Sequence, residues 1–119
     1  MTMSEWVEIG RVEDIPLRGA RVLKTEGGDI AVFRSGDDRI FALDDRCPHR
    51  DGSLSQGIVH SWKITCPLHN WAIELANGKA VPPDEGCATK YPVRIKDGGF
   101  SLQLATSLIT QRHLKMVSA

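Results

Sequence analysis

The sequence predicts an all-β fold, a sandwich or barrel of short antiparallel strands, on two observations. Segments rich in β-branched and aromatic residues recur at short intervals, and the residues between them are turn formers that accept positive φ. No sustained helical pattern occurs before residue 105.

Residues 21–25 (RVLKT) and 29–34 (DIAVFR) flank Gly27-Gly28-Asp29, and residues 39–43 (RIFAL) follow Gly36-Asp37-Asp38. Residues 62–65 (WKIT) and 71–75 (WAIEL) lie on either side of a Cys/His stretch, and the second of them runs into Asn77-Gly78. Residues 91–96 (YPVRIK) and 100–104 (FSLQL), joined by Asp97-Gly98-Gly99, make the clearest hairpin. Two stretches break the pattern. Residues 44–57 fade into polar and turn residues and read as a loop carrying function, and residues 81–89 (VPPDEGCAT) read as a second loop. In the C-terminal extension, residues 105–119, Leu108, Ile109, His113, Leu114 and Val117 fall near helical spacing, so a short helix or a frayed extension is expected there.

A chain of 119 residues is long enough for one domain with a real core. Fifteen basic and fifteen acidic residues cancel, which gives bulk electrostatics no grip on nucleic acid or a membrane surface. Glu5 and Glu8 stand where a secretory leader needs a basic start and an apolar run. Apolar runs such as residues 30–33 are far shorter than the roughly 20 residues that span a bilayer. Three cysteines, an odd number, fit a reducing compartment better than a disulfide framework. The expectation is a cytoplasmic protein with neither a nucleic-acid nor a membrane partner.

The chemistry concentrates in two boxes. Cys47-Pro48-His49 is followed, sixteen residues later, by Cys66-Pro67-Leu68-His69. Thiolate and imidazole are strong transition-metal donors, and each box offers one of each. A single zinc ion usually takes its cysteines as one close pair and its histidines as another. Here the order alternates, so two facing loops are able to hold one iron by both thiolates and a second by both imidazoles, the Rieske [2Fe-2S] arrangement. The competing view is that these are unrelated buried cysteines and histidines. Chance filling of all four positions is expected on the order of once in a thousand such chains or less, which favours the metal reading. Pro48 and Pro67 stiffen the boxes, and Gly52 and Gly57 allow tight turning beside sulfides that accept backbone N–H bonds.

The pattern C-x-H-x16-C-x-x-H on a short β-rich chain resembles the Rieske iron–sulfur proteins, with the similarity running over residues 6–104. The resemblance implies a Rieske-type antiparallel β-sandwich with a small cluster-binding subdomain at about residues 44–80, within a single Rieske domain over residues 1–119. It implies Cys47 and Cys66 as thiolate ligands and His49 and His69 as imidazole ligands of a Rieske-type [2Fe-2S] cluster. Respiratory-complex members look like C-T-H-L-G-C and C-P-C-H-G-S-x-Y, with an extra disulfide and two hydroxyl donors. Gly52 and Leu68 stand at the disulfide positions here, and Trp71 and Ile73 at the hydroxyl positions. Fewer donors stabilise the reduced cluster less, so a potential near the bottom of the Rieske range of about −150 to +300 mV is expected.

Among low-potential members, SLSQGIVHSWKITCPLHNW followed by DEGCATKYPVRIKDG is similar to the small subunit of assimilatory NAD(P)H nitrite reductase. In that class a CPLHNW box and a GC-x-x-x-(Y/F/I)-PV segment recur. The alternative is the ferredoxin that serves aromatic-ring-hydroxylating dioxygenases, which typically has an F/G-rich stretch after the second histidine. The nitrite reductase resemblance implies a partner, a large subunit with flavin, iron–sulfur cluster and sirohaem that reduces nitrite to ammonia. It gives this chain an electron-transfer role without a substrate-turnover site of its own. The sequence has no G-x-G-x-x-G stretch and too few cysteines for a [4Fe-4S] cluster beside a Rieske centre. Some members of the family lack the ligands altogether.

Other candidates are weaker. Cys87 reads as a small packed residue, His60 and His113 as surface histidines, and Trp71 as a shield for the cluster. Arg50 and Asp51 border the first box and are ordinarily solvated, and Asp44 and Asp45 do not make a glycosidase-like acid/base pair.

Overall fold

The computed structural model describes residues 4–25, 28–45, 53–65, 72–80, 88–105 and 116–118. Among these the regular elements are strands and two 3-10 turns, so the all-β expectation holds. The strands are β1 (Ser4–Arg11), β2 (Ala20–Thr25), β3 (Gly28–Arg34), β4 (Ile40–Asp44), β5 (Ile58–His60), β6 (Lys63–Thr65), β7 (Ala72–Glu74), β8 (Lys90–Tyr91), β9 (Val93–Lys96), β10 (Gly99–Ala105) and β11 (Met116–Ser118). They form three antiparallel sheets, in the orders β1-β10-β9, β11-β2-β3-β4-β8 and β5-β6-β7.

The apolar run Ile30–Phe33 explains how the sheets stack. A strand with one solvated face alternates apolar and polar, whereas a continuous run requires cover on both faces. All four residues are buried. Ile30 and Val32, with Leu23, Ile40 and Ala42, face Phe100, Leu102 and Leu104 of β10. Ala31 and Phe33, with Ala20 and Leu43, face Leu54, Val59, Ile64, Ile73 and Leu75. The five-stranded sheet is therefore a central layer, with the β1-β10-β9 sheet on one side and the small β5-β6-β7 sheet on the other.

The turns follow the expected chemistry. Lys96 pairs with Gly99 across a two-residue loop in which Asp97 and Gly98 both have positive φ, 52° and 81°, the signature of a type I′ hairpin. Gly78 has φ 76°, and a Cβ there would sit 2.2 Å from the Ala88 carbonyl oxygen, so no other residue lets these two backbones approach. The amide of Ala88 donates to Gly78 O at 2.7 Å.

Several expectations need correction. The strand expected over residues 91–96 is two strands in two sheets. Pro92 has no N–H for a ladder, and the chain crosses there from the central sheet to the outer one. β1 was not among the expected strands, although its bulged pairing with β10 sets Val7 and Ile9 against the core and exposes Trp6 and Glu8. β5 was also missed, being three residues long with only Val59 buried. The far end of the C-terminal extension is strand rather than helix, since β11 pairs with β2. Residues 106–115 lie outside the described residues.

Phe33 is fully buried where the central and small sheets meet. Phe33→Ala is expected to lower the unfolding free energy by about 3–5 kcal/mol, read from urea denaturation at constant slope.

Candidate metal centre

Both boxes connect described residues at either end. Cys47, His49, Cys66 and His69 lie outside the described residues, as do Arg50, Asp51, Gly52, Leu68, Trp71, Cys87 and His113. What the structure places is the frame that holds the ends of the two boxes.

The first box leaves the central sheet at the end of β4. Asp44 donates its N–H to Thr89 O at 2.8 Å, and Asp45 donates its N–H to Asp29 O at 3.0 Å. The Tyr91 hydroxyl donates to Asp44 Oδ1 at 2.5 Å. Burial pushes the Tyr91 phenol upward, and the hydrogen bond and charge of Asp44 push it further. The chain returns at a 3-10 turn, Leu54–Gln56, where Leu54 is fully buried and Gly57 donates its N–H to Leu54 O at 2.9 Å. Asp45 reaches across this gap: its Oδ1 accepts from the Ser55 N–H at 2.7 Å and its Oδ2 from the Ser55 hydroxyl at 2.8 Å.

The second box joins β6 to β7. Thr65 pairs with Ala72, which holds the two ends of residues 66–71 about 4.5–5.5 Å apart at their Cα atoms. Ile64 and Ile73 point inward from this stem and are fully buried. Ile73 stands where the respiratory type has a hydroxyl donor, and here it is a core side chain.

The two frames meet. β5 pairs with β6 so that Ile58 opposes Thr65, and a Cβ on Gly57 would sit 2.2 Å from Thr65 O. Only glycine permits this approach. The return of the first box therefore lies against the residue that precedes Cys66. His60 is exposed, as expected, and its Nε2 lies 2.6 Å from Thr65 Oγ1.

At the other end of the small sheet, Trp62 ties it to the β3–β4 hairpin. Its Nε1–H donates to both Asp37 oxygens at 3.2 and 3.3 Å, and the Arg39 guanidinium lies 4.4 Å over its ring. A groove of about 780 Å³ opens beside Trp62, between Arg18 and Lys63, and none of the residues flanking the boxes lines it. Among the described residues no cluster of three or more His, Cys, Asp or Glu is placed to hold a metal ion, and no helix is long and apolar enough to cross a membrane.

Sequence reasoning missed the Asp45–Ser55 and Asp44–Tyr91 contacts. The only available signal was a pair of carboxylates beside the first box, and the partner serine and tyrosine lie ten and forty-seven residues on.

A family profile for the Rieske [2Fe-2S] domain matches residues 5–92. The chain belongs to the Rieske [2Fe-2S] domain family. A curated relative, the anthranilate 1,2-dioxygenase ferredoxin subunit of Burkholderia cepacia, is 40% identical over 103 residues, covering 82% of this chain and 90% of that one. Among solved structures, a carbazole 1,9a-dioxygenase complex of oxygenase and ferredoxin contains a chain with TM-score 0.74 and 26% identity, covering 89% of this Rieske protein and 97% of that chain. A Mycobacterium tuberculosis chain assigned as an NADH-dependent nitrite reductase small subunit has TM-score 0.74 at 23% identity, covering 87% and 97%, and shares the fold.

The cofactor of this Rieske domain is a [2Fe-2S] cluster, an electron-transfer centre. The donor set fits it: two thiols and two imidazoles, one of each per box, on frames that abut at Gly57 and Thr65.

Three outcomes follow from the frame. Gly57→Ala is expected to destabilise the protein by about 1–3 kcal/mol, because β5 and β6 must separate; urea denaturation measures it. Tyr91 is the single tyrosine, so its ultraviolet titration is unambiguous and is expected to have a midpoint above the usual value of about 10. The folded state favours the neutral phenol, so its stabilisation is complete below pH ~10 and is lost as pH rises further. Tyr91→Phe is expected to cost about 1–2 kcal/mol at neutral pH, with the difference from wild type shrinking above pH ~10.

Proposed function

We propose that this chain is the Rieske [2Fe-2S] small subunit of an NAD(P)H-dependent nitrite reductase. In this reading Cys47 and Cys66 are the thiolate ligands and His49 and His69 the imidazole ligands, within a cluster-binding subdomain of about residues 44–80. The observation that carries the reading is the second box, CPLHNW, taken with DEGCATKYPV downstream. The shared fold with the Mycobacterium tuberculosis chain is compatible with it.

When bound, the cluster supplies reversible one-electron transfer. The chain's own part is to hold the two boxes on frames anchored by Asp44, Asp45, Gly57 and the Thr65–Ala72 pair. Nitrite reduction to ammonia takes six electrons and belongs to the large subunit, with its flavin, iron–sulfur cluster and sirohaem. The small subunit supports that electron flow in the cytoplasm and turns over no substrate itself.

A second reading has a specific observation in its favour. The 40% identity spanning 90% of the Burkholderia cepacia ferredoxin subunit favours a Rieske ferredoxin that delivers electrons to an aromatic-ring-hydroxylating dioxygenase. Both readings use the same ligands and differ in the partner.

Co-expression with a sirohaem-containing large subunit separates them. A stable complex with NAD(P)H-to-nitrite electron flow supports the first reading, and reduction of a ring-hydroxylating oxygenase without nitrite turnover supports the second. The purified protein is expected to be reddish brown and, once reduced, to give a Rieske-type EPR spectrum whose average g lies below the free-electron value. His69→Ala is expected to abolish electron flow to nitrite while the complex still assembles. A colourless protein holding one zinc ion and no acid-labile sulfide would refute both readings.

A further inference from the structure

The contact between Asp45 and Ser55 spans the first box, and its chemistry says more than closure. Ser55 is buried, at 6% exposure, and both of its donors, the N–H and the hydroxyl, are spent on the two oxygens of one carboxylate. A buried serine needs one acceptor for its hydroxyl and its amide needs another, and a carboxylate facing it squarely serves both. The bracket is itself anchored. Asp45 is held by its N–H to Asp29 O of β3, and its neighbour Asp44 by Thr89 and Tyr91. On the far side Leu54, beside Ser55, is fully buried in the core beneath the small sheet. Residues 46–54, with Cys47 and His49 among them, thus begin and end at one side chain.

That side chain also carries a negative charge at the start of the first box. Asp45 precedes Cys47 by two residues, and two residues of chain span at most about 7 Å. Adding an electron to a cluster beside a carboxylate is opposed by their repulsion, and the net charge around a cluster is one of the levers on its potential.

We propose that Asp45, acting through Ser55, is the positioning residue of the first Cys/His box, and that its carboxylate charge holds the reduction potential of the bound cluster down. The proposal rests on Cys47 and His49 being ligands. Its two parts are separable. Asp45→Asn keeps the shape and an oxygen for the Ser55 N–H, and the Ser55 hydroxyl is able to turn and accept from the new amide, so the bracket survives without the charge. Ser55→Ala keeps the charge and the backbone bond and removes the hydroxyl bond.

The test uses the cluster-loaded full chain. Asp45→Asn is expected to keep the Rieske-type EPR spectrum and to shift the midpoint potential positive, by a margin that narrows as salt rises. Ser55→Ala is expected to leave the potential at the wild-type value but to release iron to a chelator several-fold faster. In the apo-protein, Asp45→Ala is expected to speed hydrogen exchange at the Ser55 amide at least tenfold, a measurement that needs no cluster. An Asp45→Asn potential equal to or below wild type, with the EPR signature intact, overturns the charge role. Wild-type iron release in Ser55→Ala, together with wild-type exchange at the Ser55 amide in Asp45→Ala, overturns the positioning role. A wild-type protein without the Rieske signature is a different failure, that of the ligand assignment.

Discussion

Everything in this molecule hangs from the burial of both faces of the β2-β3-β4 layer. Because side chains alternate along a strand, each of these strands serves two cores at once, and its register is fixed from both sides. Slipping β3 by one residue would exchange Ile30 and Val32 for Ala31 and Phe33, sending a phenyl ring and a small alanine into the space shaped by β10 and leaving a smaller aliphatic side chain in the space that Phe33 fills under the small sheet. That double penalty leaves β4 no freedom, and β4 carries the chain to the first box. The same layer receives Val59, Ile64 and Ile73 from the small sheet and Leu54 from the 3-10 turn before it, so the small sheet is seated on it by three buried aliphatic side chains.

The small sheet could not be stable alone, with three strands of three residues each. Its rigidity is borrowed. Trp62 pins one end to the β3–β4 hairpin through Asp37, and the inward side chains press on the central layer. What remains for the other end is short backbone pairing, Ile58 with Thr65 and Thr65 with Ala72. A centre built from two loops requires their stems to be held at fixed separation, and this is done by backbone contact at Gly57 rather than by side-chain packing.

The sequence carried the chemistry more plainly than the architecture. The alternating Cys and His are local in the chain and improbable by chance, so they announce themselves, whereas sheet membership is set by partners far away in sequence. The strands through residues 20–44 were readable because β-branched runs lie between glycine-rich turns. β1 carries two glutamates among its apolar residues, and its strand character comes from pairing with β10, nearly a hundred residues on. β5 is too short to show a period, and only the pairing with β6 makes it a strand. Tyr91-Pro92-Val93 reads as continuous extended chain, and nothing local says that its two halves join different sheets. The carboxylate contacts at the first box were invisible for the same reason, since neither Ser55 nor Tyr91 differs in kind from other surface-capable residues until the fold brings them together.

The Thr65–Ala72 pair closes a hairpin stem whose inward side chains the core dictates. Ile64 and Ile73 are bound to their neighbours by packing, and the pairing of Thr65 with Ala72 brings the two ends of the second box together. A stem closed by its own backbone pairing and inward packing does not draw that closure from the side chains of the box it carries. Such a scaffold lends itself to descendants with different potentials and different partners. It also explains how a relative could give up redox chemistry entirely and persist as a folded subunit.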